Sequence, residues 1–288
     1  MIERSKVLAD RFNSFVPATG TIAIWWLGQS GFVIRDHNYC IVTDPYLSTT
    51  LEDLTKDFGP EMKHIRMTPI PVNPWDLHCV DYVICSHDHG DHYDRASVEG
   101  ILEGSPNCKV IGPPAVIAAC LKDSISKERL ISVGTEDEYS FGGLKITAMK
   151  AKHNNFDYSD QYGFPYVGYF IRLGSTCIYH AGDTILFDGI RELISKENVD
   201  IGLIPINGYD DQRIKAGFQS NFKYSEAADL AMNTGIKMMI PCHYDMFTAN
   251  TEQVGNFVNY INSVRGMPAY KIPVIGSPLI LSKEVLGK

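Results

Sequence analysis

The sequence predicts an α/β (α+β) protein in which two β-sheets pack face to face and helices cover their outer surfaces. Three observations carry that expectation. Short apolar segments at close spacing open each half of the chain, strands alternate with helices in the remainder of each half, and no Pro/Gly/Ser-rich linker divides the halves. At 288 residues the chain has room for one large domain or two small ones. The missing linker favours a single domain over 1–288, with 46–75 as a long irregular insertion near the site.

The elements follow in order. "TIAIWWL", "GFVIR" and "YCIVTD", separated by glycine-containing or polar turns, read as antiparallel strands. "VDYVICS" and "KVIGPP" read as buried strands around a helix near Asp94 to Leu102, with Asp94 as its N-cap. "PPAVIAACLK" is a helix with proline in its first turn. "LISVG", "EYSFGG" and "LKITAMKA" resume the strand pattern, and "YVGYFIRLG" and "TCIYHAGDT" form a hairpin around Gly174 and Ser175. The helix "DGIRELISKEN" aligns Ile190, Leu193 and Ile194 on one face, and "SEAADLAMNTG" runs from a cap at Ser225 to a stop at Gly235. "VDIGLIPING" and "IKMMIPCHYD" are apolar strands that end in polar loops. The apolar segment "VLADRFNSFV" near the start is suited to packing either on its own domain or on a second copy of the chain in a homo-oligomer.

Composition excludes several classes of function. With 44% hydrophobic and 21% charged residues the chain is an ordinary globular protein, and its net charge of -8 disfavours a nucleic-acid partner, which needs clustered Lys and Arg. No stretch approaches the ~20 apolar residues that span a bilayer, so no membrane partner is expected. The opening "MIERSKVLADRF" lacks the apolar core of a secretory signal, and a cytoplasmic location is expected. Seven scattered cysteines without a CxxC pair read as buried free thiols in a reducing compartment.

The chemistry concentrates in "SHDHGDH", Ser86 to His92. In an extended loop residues two apart point the same way, so His87 and His89 can grip one ion while Asp91 and His92 address a second beside it. The missing ligands are expected at later strand ends: His153 in "MKAKHNN", Asp183 in "YHAGDT" and His243 in "IPCHYDMF". His87, His89 and His153 would then hold one metal, Asp91, His92 and His243 the other, and Asp183 would bridge them. A shell of His and Asp without thiolate admits zinc, manganese or iron. Cys242 is expected to be a buried thiol, His180 a core histidine or one that supports a ligand, and His37, His64 and His78 surface or loop residues.

These residues occur in an order that resembles the metallo-β-lactamase superfamily. The segments "WWLGQSGF", "RMTPIPVNPWD", "SHDHGDH", "YHAGDT" and "IPCHYDMF" are similar to those of its L-ascorbate 6-phosphate lactonase group, from about Trp25 to Phe247. The resemblance implies a four-layer αββα sandwich of two mixed β-sheets with outer helices. It also implies a metal site between the sheet ends, one or two divalent ions (Mn or Zn), and hydrolysis of a small phosphorylated sugar lactone. Gly90 departs from the Asn expected in the lactonase loop, and the chain is shorter than is usual for the group.

A water activated by one or two divalent ions would open the ring ester beside Asp91 and Asp183, the catalytic pair, with Asp91 orienting the water and taking its proton. Phosphate recognition would fall first to Arg66, then to Arg213 and Lys215, with Asn207 and Tyr209 lining the mouth. Other readings are a phosphodiesterase with the same metal core, an amide or lactone hydrolase without phosphate recognition, and a metal-bearing sensor that catalyses nothing.

Overall fold

The computed structural model describes residues 2–287. In the first sheet β1 (Thr21–Gly28), β2 (Gly31–Arg35) and β3 (Cys40–Thr43) form an antiparallel meander. It continues in parallel through β4 (Tyr82–Ile84), β5 (Lys109–Gly112) and β6 (Leu130–Ser132). In the second sheet β7 (Glu138–Phe141), β8 (Leu144–Lys150), β9 (Val167–Leu173) and β10 (Thr176–His180) are antiparallel. The chain then switches to parallel pairing through β11 (Ile201–Pro205), β12 (Met238–Cys242) and β13 (Ala269–Tyr270). The last strand, β14 (Leu279–Ser282), returns to pair with β1, giving seven strands in each sheet. Both sheets are mixed, and the order of strands expected from the sequence holds.

Side-chain alternation explains why the sheets stack. Along β1, Ile22, Ile24 and Trp26 enter the core shared by the two sheets, while Ala23, Trp25 and Leu27 enter a second core beneath the outer helices. That second core receives Phe12 of α1 (Ile2–Ser14), Val98 and Ile101 of α3 (Arg95–Gly104) and Val116 of α4 (Pro114–Lys122). Part of the N-terminal apolar segment packs on its own domain, the Phe12 ring lying edge-on against Trp25 at 5.3 Å. On the second sheet, α5 (Ile190–Ser195), α7 (Tyr224–Asn233) and α8 (Val254–Ser263) bury Ile190, Ile194, Leu230 and Phe257 in the shared core.

Local boundaries follow from capping. Asp94 caps α3 as expected, its carboxylate accepting from the Ser97 N–H at 3.0 Å. Helix α7 starts earlier than expected: the Lys223 N–H donates to the Glu226 carboxylate at 3.0 Å, which puts Ser225 in the first turn instead of at the cap. The segment 46–75 stays largely irregular apart from α2 (Thr50–Leu54) and the start of a 3-10 turn at Pro74, and it folds over one edge of the sandwich. Among the described residues no helix is long and apolar enough to cross a membrane.

Candidate metal centre

The strands deliver their chemistry at one edge. The chain leaves β3 at Asp44, β4 at Ser86, β8 at His153, β10 at Asp183 and β12 at His243, and in the parallel portions of both sheets these are carboxyl ends. Gly182 makes the turn into Asp183 feasible. Its φ is +59°, and a Cβ there would sit 2.7 Å from Ser86 Cβ and 2.8 Å from the Val167 carbonyl. Three residues with side chains also adopt left-handed backbone at this edge, Gln29 (φ 50°), Asp44 (φ 37°) and His243 (φ 59°). Such conformations persist only where the surroundings enforce them, and here the Gln29 carbonyl holds the His243 N–H at 2.9 Å.

All seven expected ligands converge. The loop His87–His92 is a turn, not an extended segment, closed by the His92 and Tyr93 N–H groups on the His89 carbonyl. The turn nevertheless brings the His87 and His89 rings to 4.5 Å and the His87 and His92 rings to 4.1 Å. Ligand atoms group within 4.8 Å as three sets: His87, His89 and His153; His87, His92 and Asp183; and Asp91, His92 and His243. Asp183 lies between the outer two, with Oδ2 3.3 Å from His153 Nε2 and 3.2 Å from His243 Nε2, and Oδ1 3.3 Å from His92 Nε2.

The donor set fits a cation. His87 Nε2 is buried without a hydrogen-bond partner, and His92 Nε2 and Asp183 Oδ1 are buried with only their 3.3 Å contact to each other, which lacks hydrogen-bond geometry; this costs free energy unless something else satisfies those atoms. Their outer nitrogens are already committed: His92 Nδ1 lies 2.8 Å from Asp44 Oδ2, His153 Nδ1 2.8 Å from the Ser220 carbonyl, and His87 Nδ1 2.9 Å from Ser86 Oγ. Each contact leaves Nε2 turned toward the cluster, the orientation a metal-binding imidazole needs.

Electrostatics agree. Burial keeps His87 well below the usual imidazole range and lowers His153 to about 4, so both rest as neutral ligands. Burial works against ionisation of Asp183 and Asp91, but the adjoining imidazoles, His243 and His92 for Asp183 and His92 and His243 for Asp91, outweigh it and hold both carboxyls well below their usual range. Burial likewise opposes charge on His92 and His243, and the carboxylates, Asp183 foremost, override it; His243 rises to about 9. The carboxylates thus favour positive charge here, and a divalent cation competes with protons for the same place.

Three residues of this edge escaped the sequence reasoning. Asp44, fully buried, accepts from the Ser86 N–H and Oγ–H at 2.7 Å and also contacts His92 and His180 at 2.8 Å. His180 therefore supports the ligand shell, as expected. Gln29 Nε2 donates to Asp91 Oδ2 at 2.8 Å and lies 3.2 Å from His243 Nε2. His64, expected to be a surface or loop residue, sits in a loop and lines the cavity over the cluster, its ring edge-on to Phe247 at 4.8 Å. That cavity, about 300 Å³, is walled by Leu51, Phe58, Met62 and Phe218 and floored by His89, Asp91, His153 and Asp183.

The expected phosphate ligands lie elsewhere. Arg66 is half-buried and bonded to Glu52 Oε1 at 3.1 Å and the Ser48 carbonyl at 2.7 Å, with the Tyr46 ring 4.8 Å away. Its charge is paired within the 46–75 segment, and it does not line the cavity over the cluster. Arg213 bonds Asp210 and the Asn207 carbonyl at 2.6 Å each and lines a neighbouring cavity with Pro60 and Thr248. Asn207 is buried, donating to Asn250 Oδ1 at 2.9 Å, and the Tyr209 hydroxyl faces Glu226 at 3.3 Å with Lys223 over its ring. Among the described residues no Lys or Arg lines the cavity over the cluster. Cys242 is buried, burial pushes its thiol up, and it belongs to none of the three ligand sets.

Comparison with known proteins agrees with this architecture. A family model described as "Beta-lactamase superfamily domain" matches residues 23–243. A UPF0173 metal-dependent hydrolase of Polaromonas sp. is 31% identical over 211 residues, 67% of this chain and 69% of that protein. The Probable L-ascorbate-6-phosphate lactonase UlaG of Salmonella heidelberg is 23% identical over 265 residues, 80% of this chain and 72% of that one. The isothiocyanate hydrolase from Delia radicum gut bacteria superposes with a TM-score of 0.71 at 16% identity, covering 90% of this chain and 99% of that one, a likeness of fold. The chain belongs to the beta-lactamase superfamily and is built on the metallo-β-lactamase fold.

Proposed function

We propose that the protein is a metal-dependent hydrolase that opens a small lactone by attack of an activated water. His87, His89 and His153 on one side and Asp91, His92 and His243 on the other would hold one or two divalent ions, Mn or Zn, with Asp183 between them. The observation that carries this reading is the buried cluster itself, with the unpartnered Nε2 atoms of His87 and His92 beside Asp183 Oδ1. A bound divalent ion supplies Lewis-acid polarisation of a carbonyl and lowers the pKa of its water. Asp91, held by Gln29 and facing the cavity, receives the proton of the attacking water. The apolar wall formed by Leu51, Phe58, Met62 and Phe218 seats the substrate and thins the water around the reacting carbonyl.

L-ascorbate 6-phosphate is the substrate that similarity to the lactonases suggests. One observation favours an uncharged ring ester over it. A phosphate dianion is held most strongly by guanidinium or ammonium donors, and among the described residues the cavity has neither Lys nor Arg in its lining, only the Gln219 and Asn250 amides.

Metal-stripped protein, with and without added manganese or zinc, should be assayed on an uncharged γ-lactone, L-ascorbate 6-phosphate and a phosphodiester in one buffer. Metal-dependent opening of the uncharged ring ahead of the phosphorylated one supports the reading. Faster opening of L-ascorbate 6-phosphate restores phosphate recognition, and diester cleavage with both lactones intact moves the protein to the phosphodiesterases.

A further inference from the structure

Seven cysteines are scattered along the chain, and two of them meet. Cys40, the first residue of β3, is buried; Cys79 precedes β4 and is half-buried. Their Sγ atoms lie 3.3 Å apart, and Cys79 Sγ also lies 3.3 Å from the Phe12 carbonyl at the end of α1. We propose that Cys40 and Cys79 form a peroxide-oxidisable dithiol that closes to a disulfide, a modification site independent of the metal centre.

The surroundings separate the roles of the two sulfurs. Arg35 is the cross-strand partner of Cys40, and its guanidinium reaches the same Phe12 carbonyl that Cys79 touches. Asp81, whose carboxylate accepts the Cys40 N–H at 2.8 Å, is the acidic group facing the pair. The close contact between the two sulfurs, with the Arg35 charge beside it, brings the Cys79 thiol below its ordinary value, whereas the same contact and burial raise Cys40. Cys79 is half-buried where Cys40 is buried, so peroxide reaches Cys79 first; Cys79 is the nucleophile and Cys40 the resolving thiol. The thiols of Cys85, Cys108, Cys120, Cys177 and Cys242 are all pushed up by burial and are poor competitors.

The chemistry balances with hydrogen peroxide as the oxidant. The Cys79 thiolate attacks one peroxide oxygen, the O–O bond breaks, and hydroxide leaves to become water, giving a sulfenic acid. Cys40 then loses its proton and attacks the Cys79 sulfur; the S–O bond breaks, the S–S bond forms and a second water leaves. Two thiols and one peroxide become one disulfide and two waters. The bond would join β3, whose far end carries Asp44, to the approach of β4, whose far end carries the Ser86–His92 loop.

The test uses the reduced full chain, exposed to hydrogen peroxide, denatured, blocked with N-ethylmaleimide and mapped by peptide mass. The expected result is label on five of the seven cysteines, with a linked peptide pair holding Cys40 and Cys79 and recovery of all seven on reduction with dithiothreitol. In Cys40→Ser, a sulfenic acid trapped by dimedone at Cys79 is expected; in Cys79→Ser, Cys40 should remain unmodified. Seven labelled thiols after peroxide, or sulfinic acid at Cys79 with Cys40 still labelled, overturns the proposal. Because the mapping is decisive on the wild-type chain, poor folding of either variant does not protect it.

Discussion

Asp44 Oδ2 lies 2.8 Å from His92 Nδ1 and, on the same oxygen, 2.8 Å from His180 Nε2, so one buried carboxylate orients a candidate ligand and braces the histidine at the end of β10. Asp44 should therefore control metal affinity without binding metal. Asp44→Asn is expected to weaken affinity by about 10- to 100-fold, the usual loss when the support of a ligating histidine is removed. Competition titration against a chromogenic chelator measures it, with circular dichroism to confirm folding; unchanged affinity in a folded variant contradicts the assignment.

The contrast between Asp44 and Asp183 explains what could be read from the sequence. His87, His89, Asp91 and His92 lie within six residues, and Asp183 and His243 stand directly after apolar runs, so spacing and strand ends announced them. Asp44 also ends a strand, in "CIVTDP", but nothing near it repeats a ligand pattern, and its role arises only when β3 and β4 pair and bring it to Ser86. Gln29 and His64 depend in the same way on contacts across distant segments, Gln29 with Asp91 and His64 with Phe247. The succession of strands along the chain was legible because short apolar runs such as that of β1, bounded by glycine or polar turns, are local features of the sequence. The partner of Arg66 was not legible, because a guanidinium in an irregular segment looks the same in sequence whether it meets a phosphate or Glu52.

Arg66 is expected to matter for stability more than for substrate choice. Arg66→Ala removes the ion pair with Glu52, which keeps its bond from the Tyr46 hydroxyl, and empties the contact with Tyr46 and Phe247, with an expected cost of about 1–2 kcal/mol because Glu52 is partly exposed. Urea denaturation reads the loss. If phosphorylated and uncharged lactones lose turnover equally, Arg66 is structural; a selective loss on the phosphorylated one returns it to substrate binding.

His64 should bear on substrate and not on metal. Its ring forms cavity wall and belongs to none of the three candidate ligand sets. For His64→Ala, unchanged metal stoichiometry is expected with a roughly 5-fold change in kcat/KM, the worth of one hydrogen bond of about 1 kcal/mol. Loss of metal from this variant would show that His64 supports the ligand shell instead.

Asp200 predicts an acid limb of stability. Burial alone would raise its carboxyl, but Lys237 at 2.8 Å and Lys283, joined by the Cys177 N–H at 2.9 Å, hold it below the ordinary value. A carboxyl depressed in the folded state stabilises fully above its unfolded pKa of about 3.9, and that contribution fades as pH falls through the lower folded value. Stability should decline below about pH 4, with a shallower decline in Asp200→Asn. Chemical denaturation at pH 3 to 7 checks this, and identical slopes for both proteins would remove Asp200 from the account.

The central claim is that the His/Asp cluster around Asp183 binds the metal that catalysis uses. Its most direct test is elemental analysis of wild type and Asp183→Ala after equal metal loading and dialysis, with lactone hydrolysis assayed on the same samples. Loss of bound metal and of activity together in a folded Asp183→Ala protein is the predicted result. Full metal stoichiometry in that variant, or undiminished hydrolysis without metal, would contradict it.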